Sequence, residues 1–83
     1  MITMSEAIEI YKRYGGHFFD EDTMRFWNST IVSPLFSNKC FVTSEYNYNK
    51  TELFSIRQFS EDFSRVATID FQGWDNLERA RNY

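Results

Sequence analysis

The sequence predicts an α+β fold: a small three- or four-stranded antiparallel sheet with two N-terminal helices and one C-terminal helix packed on it. Apolar residues recur at three- and four-residue intervals near the N-terminus and at every second position after Lys39, which are the periods of a helix and of a half-buried strand. The chain has 83 residues, of which 42% are hydrophobic and 25% charged. We therefore expect residues 1–83 to fold as a single domain with one core.

A first helix is predicted to begin after Thr3. Thr3 and Glu6 have the spacing of a capping box, in which the Thr3 hydroxyl accepts a hydrogen bond from the Glu6 amide. Gly15 and Gly16 provide a C-terminal stop. The apolar side chains between these signals share one helical face, and they are Met4, Ala7, Ile8, Tyr11 and Tyr14.

A short second helix is predicted over residues 20–29. Acidic residues occupy positions 20–22, the expected first turn, where carboxylates interact favourably with free amides and with the positive end of the helix dipole. Residues 28–29 are expected to end this helix. Pro34 then interrupts the chain because it has no amide hydrogen.

Three antiparallel strands are predicted from Lys39 onward, because the apolar period changes to two in Cys40–Glu45, Phe54–Phe59 and Ala67–Phe71. Polar turn-forming residues at 46–51 and 60–64 connect them. Residues 30–32 are a candidate for a short edge strand.

A last short helix is predicted over Asn76–Arg81, with Asp75 as its N-cap and with Leu77 and Ala80 facing inward. Helices gathered on one face of a small antiparallel sheet leave the other face open to solvent or to a partner. A homodimer formed through that open face would account for exposed aromatic residues.

The charge and cysteine content narrow the class of protein. The chain has 9 Lys and Arg against 12 Asp and Glu, a net charge of −3, which disfavours direct, non-specific binding to nucleic acid. Cys40 is the single cysteine, so no intrachain disulfide can form. No segment approaches the roughly 20 apolar residues that cross a bilayer, and no signal peptide is recognisable. We expect a protein of the cytoplasm without membrane contact.

Catalysis is not expected. His17 lies near Asp20 and Asp22 in the sequence, a combination that can bind metal or transfer protons. Acids at a helix start and a lone histidine beside phenylalanines more often have structural roles, however. The sequence therefore predicts no enzyme, no cofactor and no metal site. An enzyme centred on His17 is the lowest-ranked of three functional hypotheses.

The aromatic content of 19% is the unusual feature of the composition. Some of these residues fall in the regular patterns and are assigned to the core: Phe19, Phe26, Trp27, Phe54 and Phe71. Others are poorly placed for that core and mark where a partner would bind: Phe41, Tyr46, Tyr48, Phe59 and Phe63. Tyr46 and Tyr48 are the most suggestive, because they sit in a turn and exposed tyrosine is enriched at protein interfaces. A tyrosine pair folded back on its own hairpin is the structural alternative.

Four stretches of the chain resemble a family of short, uncharacterised proteins of tailed phages and prophages. They are FFDEDTMRFWNS at 18–29, FVTSE at 41–45, SIRQF at 55–59 and IDFQGW at 69–74, followed by Leu77 and Ala80. The family pattern has "FFSxDTMRFF(N/G)S", "YFVTSE", "YxVRxF" and "FQxYxxLxxA", so Trp27 and Trp74 replace Phe and Tyr here. The resemblance implies an origin in mobile genetic elements and an accessory role in the bacterial host cytoplasm, with anti-CRISPR proteins as the best-known analogues.

The sequence and this resemblance together predict a small non-enzymatic phage accessory protein that binds and inhibits a host defence complex, in the manner of an anti-CRISPR inhibitor of a Cas effector. The partner would be a host protein or ribonucleoprotein, attracted by the acidic balance. The predicted contact residues are Asp20, Glu21, Asp22, Tyr46, Tyr48, Arg57 and Trp74. The alternative is a small single-stranded nucleic-acid-associated phage protein that uses Arg57, Lys50, Lys39 and the strand aromatics.

Overall fold

The computed structural model describes residues 3–13, 19–20, 25–26 and 29–83. These residues form a small α+β domain with two helices and an antiparallel sheet. In chain order the elements are α1 (Met4–Arg13), β1 (Phe19–Asp20), β2 (Arg25–Phe26), β3 (Ser29–Ile31), a 3₁₀ turn (Ser37–Lys39), β4 (Cys40–Tyr46), β5 (Glu52–Phe59), β6 (Val66–Trp74) and α2 (Leu77–Arg81).

The strands of the sheet follow one another in chain order from β1 to β6. β1 and β2 contain only two residues each, so four strands, β3 to β6, make up most of the sheet. The three predicted strands of the meander are confirmed as β4, β5 and β6. The predicted strand at 30–32 is confirmed as β3, but it lies between β2 and β4 and is therefore not an edge.

The second predicted helix, over residues 20–29, is wrong. Phe19 and Asp20 pair with Phe26 and Arg25, and Arg25–Phe26 pair in turn with β3. Aromatic residues favour strands, and Phe26 enters the core by this route, with 1% of its side chain exposed. Residues 21–24 and 27–28, including the acidic pair Glu21 and Asp22, lie outside the described part of the chain.

The first helix is confirmed. The Glu6 amide donates to Thr3 Oγ1 at 3.2 Å, as the capping box requires. Ala7, Ile8 and Tyr11 of the predicted apolar stripe are buried. The predicted stop at residues 15–16, and Tyr14, lie outside the described residues.

The last helix is also confirmed, with its cap shifted by one residue. Asn76, not Asp75, is the N-cap, because its side-chain oxygen accepts from the Arg79 amide at 3.2 Å. Asp75 instead faces the Arg79 guanidinium at 3.7 Å. Ala80 is fully buried and Leu77 is half-buried beside it, as predicted.

The two helices cover opposite faces of the sheet, so the prediction that they gather on one face is wrong. Ala7 and Tyr11 of α1 pack on an aromatic cluster with Phe26, Phe41, Phe59 and Phe63. Ala80 of α2 packs on the other face with Val42, Phe54 and Trp74. Adjacent residues of a strand point to opposite faces, and β4 is apolar at both Phe41 and Val42. Both faces of the sheet therefore carry apolar side chains, and a helix packs on each.

The aromatic residues are divided differently from the prediction. Phe41, Phe59 and Phe63, which the sequence predicts at a partner surface, are 0%, 4% and 7% exposed and form the centre of the α1 face. The ring centroids of Phe41 and Phe59 are 4.9 Å apart. Phe71, assigned to the core, is 60% exposed. The irregular register of β6 moves Phe71 off the α2 face, where strict alternation with Ala67 would put it, and places its ring over Arg57 instead.

Candidate partner-binding site

The turn between β4 and β5 is organised by Asn47. Its side-chain oxygen accepts from the amides of Asn49 and Thr51, each at 3.0 Å. The Asn47 amide donates to the Thr51 carbonyl at 3.1 Å, and the Lys50 amide donates to the Asn47 carbonyl at 2.9 Å. Lys50 adopts a left-handed conformation, with φ of 63°. Four hydrogen bonds to one asparagine therefore fix the backbone of the tip.

Two tyrosines project from this tip. Tyr46 is the last residue of β4, opposite Glu52, and is 67% exposed. Tyr48 lies in the turn itself and is 93% exposed. At this exposure the Tyr48 ring is not folded back on its own hairpin. The tip therefore presents two aromatic rings to solvent on a fixed backbone.

The base of the hairpin is held on both faces of the sheet. On the α2 face, the Ser44 hydroxyl donates to the Glu52 carboxylate. On the α1 face, the Ser55 hydroxyl donates to Glu45 Oε1 at 3.2 Å, and the same oxygen lies 3.6 Å from Arg57 Nη2. These contacts connect the strand ends that carry the tyrosines to the interior.

Arg57 lies in the interior, with 4% of its surface exposed. Its Nε donates to Thr43 Oγ1 at 3.1 Å and its Nη1 donates to Thr68 Oγ1 at 2.7 Å. We call the polar side chains around it, together with the arginine, the Arg57 cluster: Ser29, Thr43, Glu45, Ser55, Arg57 and Thr68. Burial lowers the pKa of the guanidinium, and the Glu45 carboxylate opposes that shift.

The Phe71 ring lies over this cluster, with its centroid 5.9 Å from the Arg57 guanidinium carbon. One face of the ring therefore meets a cation, while 60% of the residue remains exposed. Arg57 is buried beneath this ring, so its hydrogen bonds stabilise the strands from the interior of the domain. A partner at this point would meet Phe71 first.

Trp74 lies at the end of β6, opposite Phe54, on the α2 face. It is half-buried, with the Tyr83 ring centroid 6.3 Å away and the Arg79 guanidinium carbon 5.8 Å away. Its indole Nε1 is buried and has no hydrogen-bond partner among the described residues. By strand alternation Tyr46 projects on this same face, so the predicted residues Tyr46 and Trp74 share one side of the sheet.

The acidic part of the predicted site is only partly described. Asp20 is the second residue of β1 and pairs through its backbone with Arg25. Glu21 and Asp22 lie outside the described residues. The structure thus brings Tyr46 and Tyr48 together on one hairpin tip, and it places Arg57 in the interior on the opposite face.

The chain matches a family of unknown function (DUF7447) over residues 3–83. It belongs to that family. No curated protein and no solved structure matches the chain. The family assignment covers both hairpins, and it leaves the function to be argued from the site.

Two cavities lie away from Tyr46 and Tyr48. One, of about 330 Å³, is lined by residues that include Pro34, Glu78 and Arg81. The other, of about 220 Å³, reaches Cys40 and Gln58. Burial raises the pKa of the Cys40 thiol, which makes it a poor nucleophile. Among the described residues there is no group of three or more metal-ligating side chains, and no helix long and apolar enough to span a membrane.

Sequence reasoning missed three residues that shape the site. Asn47 was included in the turn, but its role in fixing the tip follows from its position two residues before Asn49, the spacing of an Asx turn. The sequence predicts no role for Glu45 and places Phe71 in the core rather than at the surface. The signal for Phe71 was Gln72-Gly73, because a glycine inside a strand pattern indicates a bulge.

Proposed function

We propose that this protein is a non-enzymatic phage accessory protein that binds and inhibits a host defence complex, acting as an anti-CRISPR-like inhibitor of a Cas effector. The β4–β5 hairpin tip makes the principal contact. The observation that carries the proposal is the exposure of Tyr46 and Tyr48 on a tip whose backbone is fixed by Asn47. The phage origin is supported by the resemblance of four sequence stretches to phage and prophage proteins.

Preorganisation is the reason that the tip suits this role. A binding loop that is already ordered loses little conformational entropy when it meets a partner. Tyrosine has few rotatable bonds, a large apolar ring and a polar hydroxyl, which is why it recurs among the residues that dominate binding energies. Tyr48 therefore acts as the anchor, and Tyr46 adds contact area at the end of β4.

The charge balance supports a basic partner surface. The net charge of −3 favours encounter with the basic faces that bind nucleic acid in a ribonucleoprotein effector. Asp20, Glu21 and Asp22 are proposed to add acidic contacts. Trp74, on the same face as Tyr46, is proposed to contact the partner at the rim. Arg57 contributes by holding Glu45 and Thr43 in place.

The proposal is tested by measuring binding of the purified protein to a panel of Cas effectors, together with the targeting activity of each effector. We expect one effector to bind and lose activity. The Tyr46→Ala/Tyr48→Ala variant should bind at least about 30-fold more weakly, the effect of losing a dominant interface residue. No binding to any effector would contradict the anti-CRISPR form of the proposal.

Phe71→Ala is the matched control, because it removes an aromatic ring of comparable exposure from the opposite face of the sheet. Binding should be unchanged in this variant. A loss as large as that of the double tyrosine variant would show that the hairpin tip is not the contact surface.

Binding to single-stranded nucleic acid is the second candidate function, and the observation that favours it is Phe71. Its exposed ring, with a guanidinium 5.9 Å from its centroid, resembles the platforms on which bases stack. A salt-dependent mobility shift of a single-stranded oligonucleotide that is lost in Phe71→Ala and retained in Tyr48→Ala would support this function. No shift at low salt would exclude it.

A further inference from the structure

In the described part of the chain, β6 is an edge strand of the sheet. β5 pairs with one side of β6, and among the described residues no strand pairs with the other side. Ala67, Thr68 and Ile69 are exposed in succession. Successive residues of a strand point to opposite faces, so neither face covers this stretch. Its outward amide and carbonyl groups are available to another strand.

The regular part of this edge is short and has defined ends. Val66, Ala67 and Thr68 pair residue for residue with Phe59, Gln58 and Arg57. The register then skips Ile69, and Asp70 lies opposite Ile56. A strand that pairs with β6 would therefore be centred near Ala67. Ile69 is the extra residue of the bulge.

A charged residue lies on each side of this regular stretch. Arg65 precedes it and is exposed, and Asp70 follows it and is half-buried. The Asp70 carboxylate rests against Gly73, in the space that a β-carbon at this position would occupy. Neither charged group forms an ion pair with another described residue. The edge thus has a positive end and a negative end. When two such edges lie antiparallel, the positive end of each is beside the negative end of the other.

We propose that β6 pairs with β6 of a second copy of this chain, antiparallel and centred on Ala67, to form a symmetric dimer with a continuous sheet. The two-fold axis places Arg65 of each copy opposite Asp70 of the other, because the extra Ile69 brings Asp70 into that position. Charge complementarity selects a second copy as the occupant, since the same edge supplies both partners of each ion pair. The proposal does not depend on the proposed function.

Charge exchange at these positions tests the dimer. Sedimentation velocity over a range of concentrations gives the dissociation constant of the natural protein and of Arg65→Glu, Asp70→Lys and the double variant. Each single variant places like charges opposite each other twice, so we expect dimerisation about tenfold weaker. The double variant restores complementarity and should dimerise about as tightly as the natural protein.

Two outcomes would overturn the proposal. One is a natural protein that stays monomeric up to about millimolar concentration, the weak limit for a specific contact. The other is a folded double variant, as judged by circular dichroism, that dimerises no better than the single variants.

A second variant keeps the test decisive if a charge exchange disturbs the fold. Ala67→Lys adds a charge at an exposed position on the proposed axis, where it would face its own copy. We expect this variant to be monomeric. Asn49→Lys adds the same charge at an exposed position in the β4–β5 turn, and it should leave the dimer intact. Equal dimerisation of the two lysine variants would exclude the β6 edge as the interface.

Discussion

The two hairpins of this domain share β5 but differ in regularity. β4 and β5 pair without interruption from Cys40 opposite Gln58 to Tyr46 opposite Glu52. Between β5 and β6 the register slips twice, so that Trp74 lies opposite Phe54. In the regular hairpin the alternation of the sequence correctly divides side chains between the two faces. In the irregular hairpin the same alternation fails, and Phe71 lies over Arg57 instead of on the α2 face.

The turns of the two hairpins also differ in their chemistry. The β4–β5 turn is held by the neutral amide of Asn47, which accepts two backbone hydrogen bonds. The β5–β6 turn is held by the carboxylate of Asp62, which accepts from the Ser60 and Ser64 hydroxyls and from the Ser64 amide. Only the second turn therefore contains a group that titrates in acid.

Truncation of one phenylalanine in each hairpin should give the largest contrast. Phe41 is fully buried against Phe26 and Phe59, so Phe41→Ala should lower the free energy of unfolding by about 3–5 kcal/mol. Phe71→Ala loses mainly one exposed cation–π contact and should cost about 0.5–1 kcal/mol. Urea denaturation measures both values.

Phe41→Leu, a smaller truncation, provides a measurable value if Phe41→Ala does not fold. Equal losses of stability in the Phe41 and Phe71 variants would contradict the division of aromatics between core and surface.

Arg57 connects the two hairpins, because it donates to Thr43 of β4 and to Thr68 of β6. Arg57→Met keeps most of the side-chain volume but leaves Glu45 without its cation. We therefore expect the free energy of unfolding to fall by about 2–3 kcal/mol, which is less than the loss expected when a completely buried ion pair is broken. Urea denaturation of Arg57→Met, Glu45→Gln and the double variant measures the coupling. If the losses of the single variants simply add, the ion pair does not stabilise the fold.

The sequence predicts much of the fold where local signals agree with burial. The capping box at Thr3, the period of two in β4 and β5, and the C-terminal helix all follow from short-range patterns. The strands β1 and β2 could not be predicted, because two-residue strands have no period of their own and acidic residues at 20–22 indicate a helix start instead. The choice of face for each helix depends on long-range packing.

The candidate site shows the same limit. Tyr46 and Tyr48 could be placed in an exposed turn from the sequence alone, because turn formers surround them. Arg57 could not be placed in the interior, since alternation assigns a face but does not show what covers it. The assignment of Phe41 and Phe59 to a partner surface was wrong for the same reason: α1 covers that face.

The second register shift of β6, between Asp70 and Trp74, offers a substitution that should stabilise the protein. Gln72 has φ of 52°, a left-handed conformation that costs a residue with a β-carbon about 1 kcal/mol. Gln72→Gly should therefore raise the free energy of unfolding slightly, by up to about 1 kcal/mol, less the backbone entropy that glycine loses on folding. Urea denaturation measures the change. As a control, glycine at Gln58, in the regular part of β5, should destabilise the fold. Destabilisation by both variants would show that the left-handed conformation at Gln72 is not strained.

Acid should weaken the β5–β6 turn and leave the β4–β5 turn unaffected. Hydrogen bonds from Ser64 and Ser60 lower the pKa of Asp62 to about 2, below the value of about 3.9 expected in the unfolded chain. A lowered folded-state pKa stabilises the fold above pH 4, and that contribution is lost as the pH falls from about 4 to about 2.

Asp62→Asn removes the charge and keeps the shape. The stability difference between Asp62→Asn and the natural protein, from urea denaturation, should thus be largest at neutral pH and vanish near pH 2. The difference for Asn47→Ala should stay constant, because an amide does not titrate. A constant difference for Asp62→Asn would show that the carboxylate charge does not hold the turn.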